Sequence, residues 1–202
     1  MADFLAVDTS SRYLTVLAKK GEKMVKRFIP DCALNHSVVL MDEVDAALAE
    51  AQLLPADCDF FAAVTGPGSF TGIRIGLSTV KGFALATNKK MLAVTSFDLI
   101  AYNVNGTQDF LVCIDAAHDC FYTCGYNGAR EITTPPCYLT REQVQSLGLP
   151  VYGFEELNLP DYHKLSVADC LYPAICALKG NLGEDIHALY VRKSQAEEAR
   201  KC

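Results

Sequence analysis

A glycine-rich run at residues 66–82 is the most specific stretch of this 202-residue sequence, Gly-Pro-Gly-Ser-Phe-Thr-Gly-Ile-Arg-Ile-Gly-Leu-Ser-Thr-Val-Lys-Gly. Loops of this composition bind phosphate when their backbone amides surround it. The spacing excludes two known phosphate loops, because Gly72 comes one residue late for the dinucleotide fingerprint and Lys81-Gly82 reverses the order of a Walker loop. The glycines therefore favour close backbone packing over phosphate chemistry.

The pattern of residues 71–87 predicts a helix, in which Gly72, Gly76 and Gly82 each cost about 1 kcal/mol relative to alanine. Such a cost indicates that another backbone approaches closely. Tight packing on the chain's own sheet and docking of a partner subunit both explain it. Arg74 and Lys81 lie seven residues apart on one helix face, which favours the second explanation. It predicts a partner-binding face that contains Gly72, Arg74, Gly76, Val80 and Lys81.

A second predicted helix, residues 37–53, supplies the neighbouring face. One apolar stripe runs along it at three- and four-residue spacing: Leu40, Val44, Ala47, Leu48 and Ala51. No Lys or Arg occurs at residues 28–73, where seven acidic residues fall: Asp31, Asp42, Glu43, Asp45, Glu50, Asp57 and Asp59. A solvated acidic face explains this run, and an apolar docking face flanked by charge explains it equally. The second hypothesis adds His36, Leu40, Val44 and Leu48 to the partner-binding residues.

Asp8, Thr9 and Ser10 follow a predicted first strand at residues 4–7 and precede a tight turn. In that position backbone amides and hydroxyls can hold a phosphate, and a carboxylate can position a metal ion. A turn capped by an aspartate is the alternative. We interpret the three residues as a vestigial phosphate loop.

The histidines and cysteines form no catalytic or metal-binding pattern. The four histidines lack His-Glu-x-x-His or paired spacing, and only His118, beside Asp115 and Asp119 in a predicted hairpin turn, has acid–base neighbours. The nine cysteines include no Cys-x-x-Cys pair, and we expect them to be reduced thiols. Those predicted to lie in the core are Cys58, Cys113, Cys170 and Cys176. Metal binding by Cys120 and Cys124 is a minor alternative.

Charge and composition limit the partners. The net charge of −6 and the pI near 5.2 argue against a free-standing nucleic-acid-binding protein, because phosphate contacts need a basic surface. The N-terminal apolar run is too short for a signal peptide or a membrane span. These features predict a cytoplasmic protein without a membrane partner.

The elements that must position these residues are those of an α/β protein. In the first half we predict strands at residues 4–7, 13–18, 23–29, 59–65 and 91–94, the two helices above, and a short helix at 96–102. In the second half we predict strands at 110–115, 121–126 and 130–133 and helices at 140–146 and 166–179. The last helix carries a Ser166–Asp169 capping box and a kink at Pro173. Composition places a domain boundary between residues 1–103 and 104–202.

The motifs Phe4-Leu-Ala-Val-Asp-Thr-Ser, His36-Ser37, the run from Gly66 to Gly76 and Lys81-Gly82 together resemble the TsaB (YeaZ) family over about the first hundred residues. The resemblance implies an α/β fold of the actin/hexokinase/Hsp70-like (ASKHA, ribonuclease H-like) type, with two lobes of which the second is truncated. It also implies a non-catalytic partner of TsaD in tRNA threonylcarbamoyladenosine (t6A) synthesis. The partners implied are TsaD in a heterodimer, TsaE in a larger complex, tRNA through that complex only, and a second copy when the chain is isolated.

The second half resembles the family less closely. Asp115-Ala116, Tyr122 and Tyr190-Val-Arg192 match the family pattern, whereas Ala117 and Cys120 stand where the family commonly has Arg and Glu. The paralogue TsaD has a His-x-x-x-His metal pair, and the matching positions here are Ser96 and Ile100. Because Ile cannot bind a metal ion, the resemblance predicts a scaffold without a metal site. It predicts no tightly bound cofactor in the isolated chain, with ATP or ADP and Mg²⁺ entering only in the complex.

A self-sufficient enzyme is the alternative from another class. A small ATP-dependent phosphotransferase of the same superfamily would use Asp8 and the glycine-rich run. It also needs a second phosphate loop and an adenosine pocket, which residues 104–202 do not visibly provide. The metallopeptidase activity once attributed to the family lacks metal ligands here.

Overall fold

Two five-stranded sheets organise the chain in the computed structural model, which describes residues 2–192. The strands of the first sheet are β1 (Phe4–Asp8), β2 (Leu14–Lys20), β3 (Lys23–Ile29), β4 (Phe60–Val64) and β5 (Lys90–Val94). Their order is β3-β2-β1-β4-β5, with antiparallel pairing from β3 to β1 and parallel pairing from β1 to β5. The first three predicted strands are confirmed and pair as an antiparallel meander, and β3 has the predicted bounds.

Helices cover both faces of the first sheet. On one face lie α1 (His36–Ala51) and α2 (Phe70–Thr87), and on the other lies α5 (Leu171–Leu178). The central strands β1 and β4 are consequently buried at every position. A parallel strand covered on both sides reads as a continuous apolar run, and this explains the sequences Phe-Leu-Ala-Val and Phe-Phe-Ala-Ala-Val.

The second sheet contains β6 (Phe110–Asp115), β7 (Cys120–Tyr126), β8 (Ile132–Thr140), β9 (Val151–Gly153) and β10 (Tyr162–Lys164). Its order is β10-β9-β6-β7-β8, and the short helix α3 (Ser96–Ala101) packs on it while α4 (Arg141–Ser146) contributes Val144 to the other side. The strand predicted at 130–133 continues through Pro135 and Pro136 to Thr140. This extension is tolerated because β8 lies at the sheet edge and because the two prolines fall in a register shift of its pairing with β7, between Thr134 and Cys137.

The helix predicted at 166–179 is wrong in its N-terminal part. A 3₁₀ turn (Val167–Asp169) precedes α5, and Ser166 makes no side-chain cap hydrogen bond, so the predicted capping box does not form. The predicted kink does not arise either, because Pro173 lies in the first turn of α5, where its missing N–H has no intrahelical partner to lose.

The C-terminal residues return to the first sheet. We call residues 183–192 the C-terminal strap. Gly183 exchanges two backbone hydrogen bonds of 2.8 Å with Met91, and Leu189 N donates to Thr65 O at 2.8 Å. The first sheet is therefore contacted by residues from both halves of the chain, so a lobe built on this sheet is not one continuous stretch of sequence. The domain boundary between residues 103 and 104 stays a prediction. Residues 1 and 193–202 of the predicted domains lie outside the described residues.

Within residues 2–192, none of the helices is long and apolar enough to cross a membrane.

Three of the four cysteines predicted to be buried are buried: Cys58, Cys113 and Cys170. The prediction is wrong for Cys176, which is exposed. The reason lies in the helical period, since α5 directs Leu171, Ala174 and Ile175 into the core and turns the next position outward.

We expect thiol reagents to modify Cys176 well before the buried cysteines in the folded protein. Burial raises the pKa of the Cys58 thiol to about 12 and that of Cys113 to about 11, so their reactive thiolates are scarce as well as inaccessible. Peptide mass spectrometry after timed alkylation measures the order of reaction. Equal labelling rates for Cys176 and Cys58 would contradict the exposure of Cys176 on α5.

Candidate functional site

The turn after β1 is closed by its own hydrogen bonds. Asp8 is 1% exposed, and its Oδ1 accepts hydrogen bonds from Ser10 N at 2.8 Å and from Ser10 Oγ at 2.7 Å. Burial raises the pKa of Asp8, although the bonds from Ser10 and the proximity of His36 oppose this effect. Thr9 Oγ1 donates to Gly72 O at 2.6 Å. The side chains of Asp8, Thr9 and Ser10 are therefore hydrogen-bonded within the chain, whereas the buried Ser11 Oγ has no hydrogen-bond partner among the described residues.

This turn packs directly against the glycine-rich run. A Cβ atom on Gly68 would overlap the carbonyl oxygen of Ser10, and one on Gly72 would overlap the carbonyl oxygen of Thr9. On Gly76 it would lie 2.5 Å from Thr9 Oγ1. At Gly68 and Gly72 the approaching backbone is thus the chain's own first turn, and at Gly76 the approaching group is the Thr9 side chain. Of the two explanations for Gly72 and Gly76, packing on the chain's own sheet is correct, and the partner-backbone explanation is wrong for both.

Gly82 differs from these glycines. It is exposed, and a Cβ atom there would meet nothing within 4 Å. The close packing inside the chain therefore does not explain it.

The predicted phosphate loop faces inward. Asp8, Thr9 and Ser10 are at most 2% exposed, and of the three only Ser10 borders a cleft. Asp8 is bonded to Ser10 through Oδ1, and Ser10 N, an amide that could otherwise donate to a phosphate, is used in that bond. The residues keep the position expected of a phosphate loop, but their donors are engaged inside the chain.

The cleft between the two sheets has a volume of about 240 Å³. Hydroxyl groups of Ser10, Ser69 and Ser96 line the side of the first sheet. The opposite side carries Asp115 and Glu155, and Asp115 N donates to Glu155 Oε2 at 2.9 Å. Burial raises the pKa of Glu155, an effect that the Asp115 amide opposes and the Asp115 charge strengthens. Arg12 also lines the cleft, so the charged residues of the cleft are of both signs.

The acid–base neighbourhood of His118 does not form a site. Ala117, His118 and Asp119 all adopt positive φ angles in the β6–β7 hairpin, and His118 is exposed. Asp115 Oδ1 accepts a hydrogen bond from Ala117 N at 2.9 Å, while Asp119 pairs with Arg141 at 2.5 Å. The Arg141 hydrogen bond lowers the pKa of Asp119. The two carboxylates are therefore engaged by the Ala117 amide and by Arg141, not by His118.

Seven of the nine predicted partner-binding residues lie in this chain's own core. They are His36, Leu40, Val44, Leu48, Gly72, Gly76 and Val80. His36 Nε2 lies 3.0 Å from Tyr13 O, and the apolar side chains of the set pack on the first sheet. Their placement on a surface face is corrected accordingly: the apolar stripe that identified them is the stripe each helix buries against its own sheet.

The other two residues are at the surface but have contacts within the chain. Lys81 pairs with Asp185 of the C-terminal strap at 2.6 Å. The Arg74 guanidinium lies 3.7 Å from the centre of the Phe70 ring, and its Nε donates to Tyr190 Oη at 3.2 Å.

An open groove of about 490 Å³ separates the outer faces of α1 and α2. It is lined by Ser37, Leu40, Met41, Phe70, Thr71, Arg74, Ile75, Ser78 and Thr79. Large apolar groups are exposed on and beside it, with Val38 71%, Met41 46% and Phe70 46% exposed. Sequence reasoning missed these residues, although one signal was present: Val38 and Met41 are apolar at positions outside the stripe of α1. We call this surface the α1–α2 groove.

The positions that match the paralogue's metal pair are both buried, Ser96 at the start of α3 and Ile100 within it. No group of three metal-binding side chains occurs in the part of the chain that the structure describes. The absence of a metal site stays a prediction.

A family model described as "TsaD: tRNA N6-adenosine threonylcarbamoyltransferase" matches residues 28–163. The "tRNA threonylcarbamoyladenosine biosynthesis protein TsaB" of Bacillus subtilis is 31% identical over 135 residues, which cover 65% of this chain and 59% of that protein. The protein of the same name from Escherichia coli is 30% identical over 115 residues, covering 55% of this chain and 49% of its own length. The matched regions thus span about half of these relatives.

Among solved structures, "YeaZ from Pseudomonas aeruginosa" superposes with a TM-score of 0.76 at 22% identity, covering 94% of this chain and 100% of that one. A second structure from the same organism, titled as similar to peptidase YEAZ, gives a TM-score of 0.77 at 24% identity, with coverages of 95% and 100%. The predicted α/β fold, ASKHA-type with two lobes, is confirmed by this likeness.

We expect Gly72→Ala to lower the free energy of unfolding by about 1–3 kcal/mol or more, because the new methyl group overlaps backbone at Thr9. Gly82→Ala is the matched control on the same helix. It should raise the free energy of unfolding by about 1 kcal/mol, since alanine is the better helix former and the position is open. Urea unfolding of both variants measures the difference, and a stable Gly72→Ala protein would contradict the packing described.

We expect Asp8→Asn to stabilise the protein at pH 7. Because the folded pKa of Asp8 is raised above 3.8, its contribution to stability is present below that value and is lost as pH rises through the folded pKa. Asparagine removes the buried charge and can still accept from Ser10. The stability gain should shrink as pH falls toward 3.8, which denaturant unfolding at several pH values would reveal. If the stability gain of Asp8→Asn instead grew as the pH fell, the raised pKa of Asp8 would be contradicted.

Proposed function

This chain belongs to the TsaB/YeaZ family, and from that premise we propose that it is a non-catalytic subunit in t6A synthesis. Its role is to bind TsaD, the threonylcarbamoyltransferase, and to support transfer of the threonylcarbamoyl group to the tRNA adenosine beside the anticodon. TsaE joins the larger complex, and tRNA binds through the complex because this chain carries a net charge of −6.

The observation that carries the proposal is the α1–α2 groove. Exposed apolar residues that line a common groove mark a protein-binding surface; Met41 and Phe70 line this one and are each 46% exposed, and Val38 on α1 is 71% exposed. The groove is also lined by the small side chains of Ser37, Thr71 and Ser78, so a partner helix can approach closely. The same surface would pair with a second copy of the chain when TsaD is absent.

The non-catalytic part of the proposal rests on the turn after β1. Asp8 is held by Ser10 and buried, and the cleft beside it presents Asp115 and Glu155. We propose that the isolated chain binds no cofactor tightly and that ATP or ADP with Mg²⁺ enters only in the assembled complex.

The alternative, a self-sufficient phosphotransferase, requires ATP to bind the isolated chain. Isothermal titration of ATP and Mg²⁺ into the purified protein separates the two hypotheses. Tight binding with turnover would favour the enzyme, and the geometry of Asp8 gives no support to that outcome.

We expect Met41→Glu and Ser78→Arg each to weaken binding to the TsaD protein of the same organism by at least about 30-fold, the loss typical of an interface centre. Each change places a charge in the α1–α2 groove, and neither side chain lies in the core. The melting temperature should therefore remain close to that of the wild type. Binding is measured by calorimetry.

Leu147→Asp is the matched control, because Leu147 is an exposed leucine (42%) beside α4 of the second sheet, outside the groove. It should bind TsaD like the wild type. If the wild-type chain does not bind TsaD at all, the proposed function fails.

A further inference from the structure

We propose that Phe70, Arg74 and Tyr190 form the anchor of the α1–α2 groove, and that Arg74 binds a carboxylate on an apolar helix of the partner. The inference rests on the proposed function and names the chemistry of its binding surface. It also assigns a role to the C-terminal strap, which holds the anchor in place.

The three side chains form one stacked cluster at the end of the groove. The Arg74 guanidinium covers Phe70 at 3.7 Å from the ring centre, the Phe70 and Tyr190 rings lie 5.4 Å apart, and Tyr190 Oη accepts from Arg74 Nε at 3.2 Å. Phe70 is 46% exposed and Tyr190 is 47% exposed. Exposed Tyr and Arg side chains that contact each other are the composition found at the energetic centres of protein interfaces.

Arg74 carries an uncompensated charge. Within residues 2–192 no carboxylate pairs with it, whereas Lys81, about two helical turns along the same face, is already paired with Asp185. Since Nε is used by Tyr190, the two terminal nitrogens are available to a ligand. A guanidinium in this position suits a carboxylate better than any other side-chain group, because two parallel N–H groups match two oxygens.

Helix α1 carries acidic side chains next to residues that line the groove. Asp42 follows the lining residue Met41 and Asp45 lies one turn further on; both are exposed, and no cation in the described part of the chain pairs with either. The groove therefore fits a helix with an apolar ridge, a carboxylate at its Arg74 end and a basic residue toward α1. We commit to a helix of the partner subunit as the occupant.

The strap makes the anchor rigid before the partner arrives. Ile186 is 3% exposed and packs in the core beneath α2, Asp185 is held by Lys81, and Leu189 N is bonded to Thr65 O. These contacts on one side of Tyr190 fix where its ring lies. An arginine that is already oriented loses less side-chain entropy on binding, so the anchor gains affinity by preorganisation.

The test is a charge exchange across the interface, measured with the full-length chain and the full-length TsaD protein. Arg74→Glu should weaken binding by at least about 30-fold. Each exposed Asp and Glu of the apolar TsaD helices is then changed to Lys, and one such variant should restore binding to Arg74→Glu while it weakens binding to the wild type. If no carboxylate variant restores binding, the inference is overturned.

The role of the strap is tested by Tyr190→Phe, which keeps the ring on Phe70 and removes only the hydroxyl that orients Arg74. We expect about a tenfold loss of TsaD affinity with an unchanged melting temperature and an unchanged salt dependence. Arg74→Met should in addition flatten the salt dependence, because it removes the charge itself. Lys164→Met, which removes a paired surface lysine of the second sheet, is the charge-loss control and should alter neither property.

Two results would contradict the inference while leaving the proposed function intact. They are unchanged TsaD affinity in Arg74→Glu, and an affinity loss in Tyr190→Phe that is accompanied by a lowered melting temperature. Absence of binding by the wild type would instead refute the proposed function.

Discussion

The structure depends on one close backbone contact, between the turn after β1 and the N-terminal half of α2. Because Gly68 and Gly72 have no side chains, the carbonyl oxygens of Ser10 and Thr9 can approach the helix, and the Thr9 hydroxyl returns a hydrogen bond to Gly72. The contact fixes the position of α2 on the sheet. The position of α2 in turn sets one wall of the α1–α2 groove and one side of the cleft. The binding surface and the closed turn are therefore consequences of the same packing.

The first sheet and its helices could be predicted from the sequence because their signals are long and regular. Continuous apolar runs mark β1 and β4, and the three- and four-residue spacing from Leu40 to Ala51 marks α1. The second sheet was harder. Strands β9 and β10 have three residues each, too few for alternation to be recognised, and β8 continues through two prolines beyond the end predicted at residue 133.

The candidate site was predicted less well than the fold, for a physical reason. Apolar periodicity reports which face of a helix is buried, but not whether its own sheet or another protein covers it. The stripe of Leu40, Val44 and Leu48 is buried by the chain itself, and apart from Leu40 the α1 residues that line the groove, Ser37 and Met41, lie outside this stripe. A glycine is ambiguous in the same way, since Gly72 and Gly82 cost equally in a helix and only the structure distinguishes a filled position from an open one.

The two prolines of β8 have a consequence for how this protein behaves when it is concentrated. An exposed edge strand offers a row of unpaired amides, and chains that offer such rows polymerise edge to edge into cross-β aggregates. Pro135 and Pro136 have no amide hydrogen to offer, and the outer strand of the other sheet, β3, carries Lys23 and Lys26. Open-ended association through strands is thereby blocked at these two edges. Two copies that pair through the α1–α2 groove, by contrast, cover the groove on both chains, and association stops at the dimer.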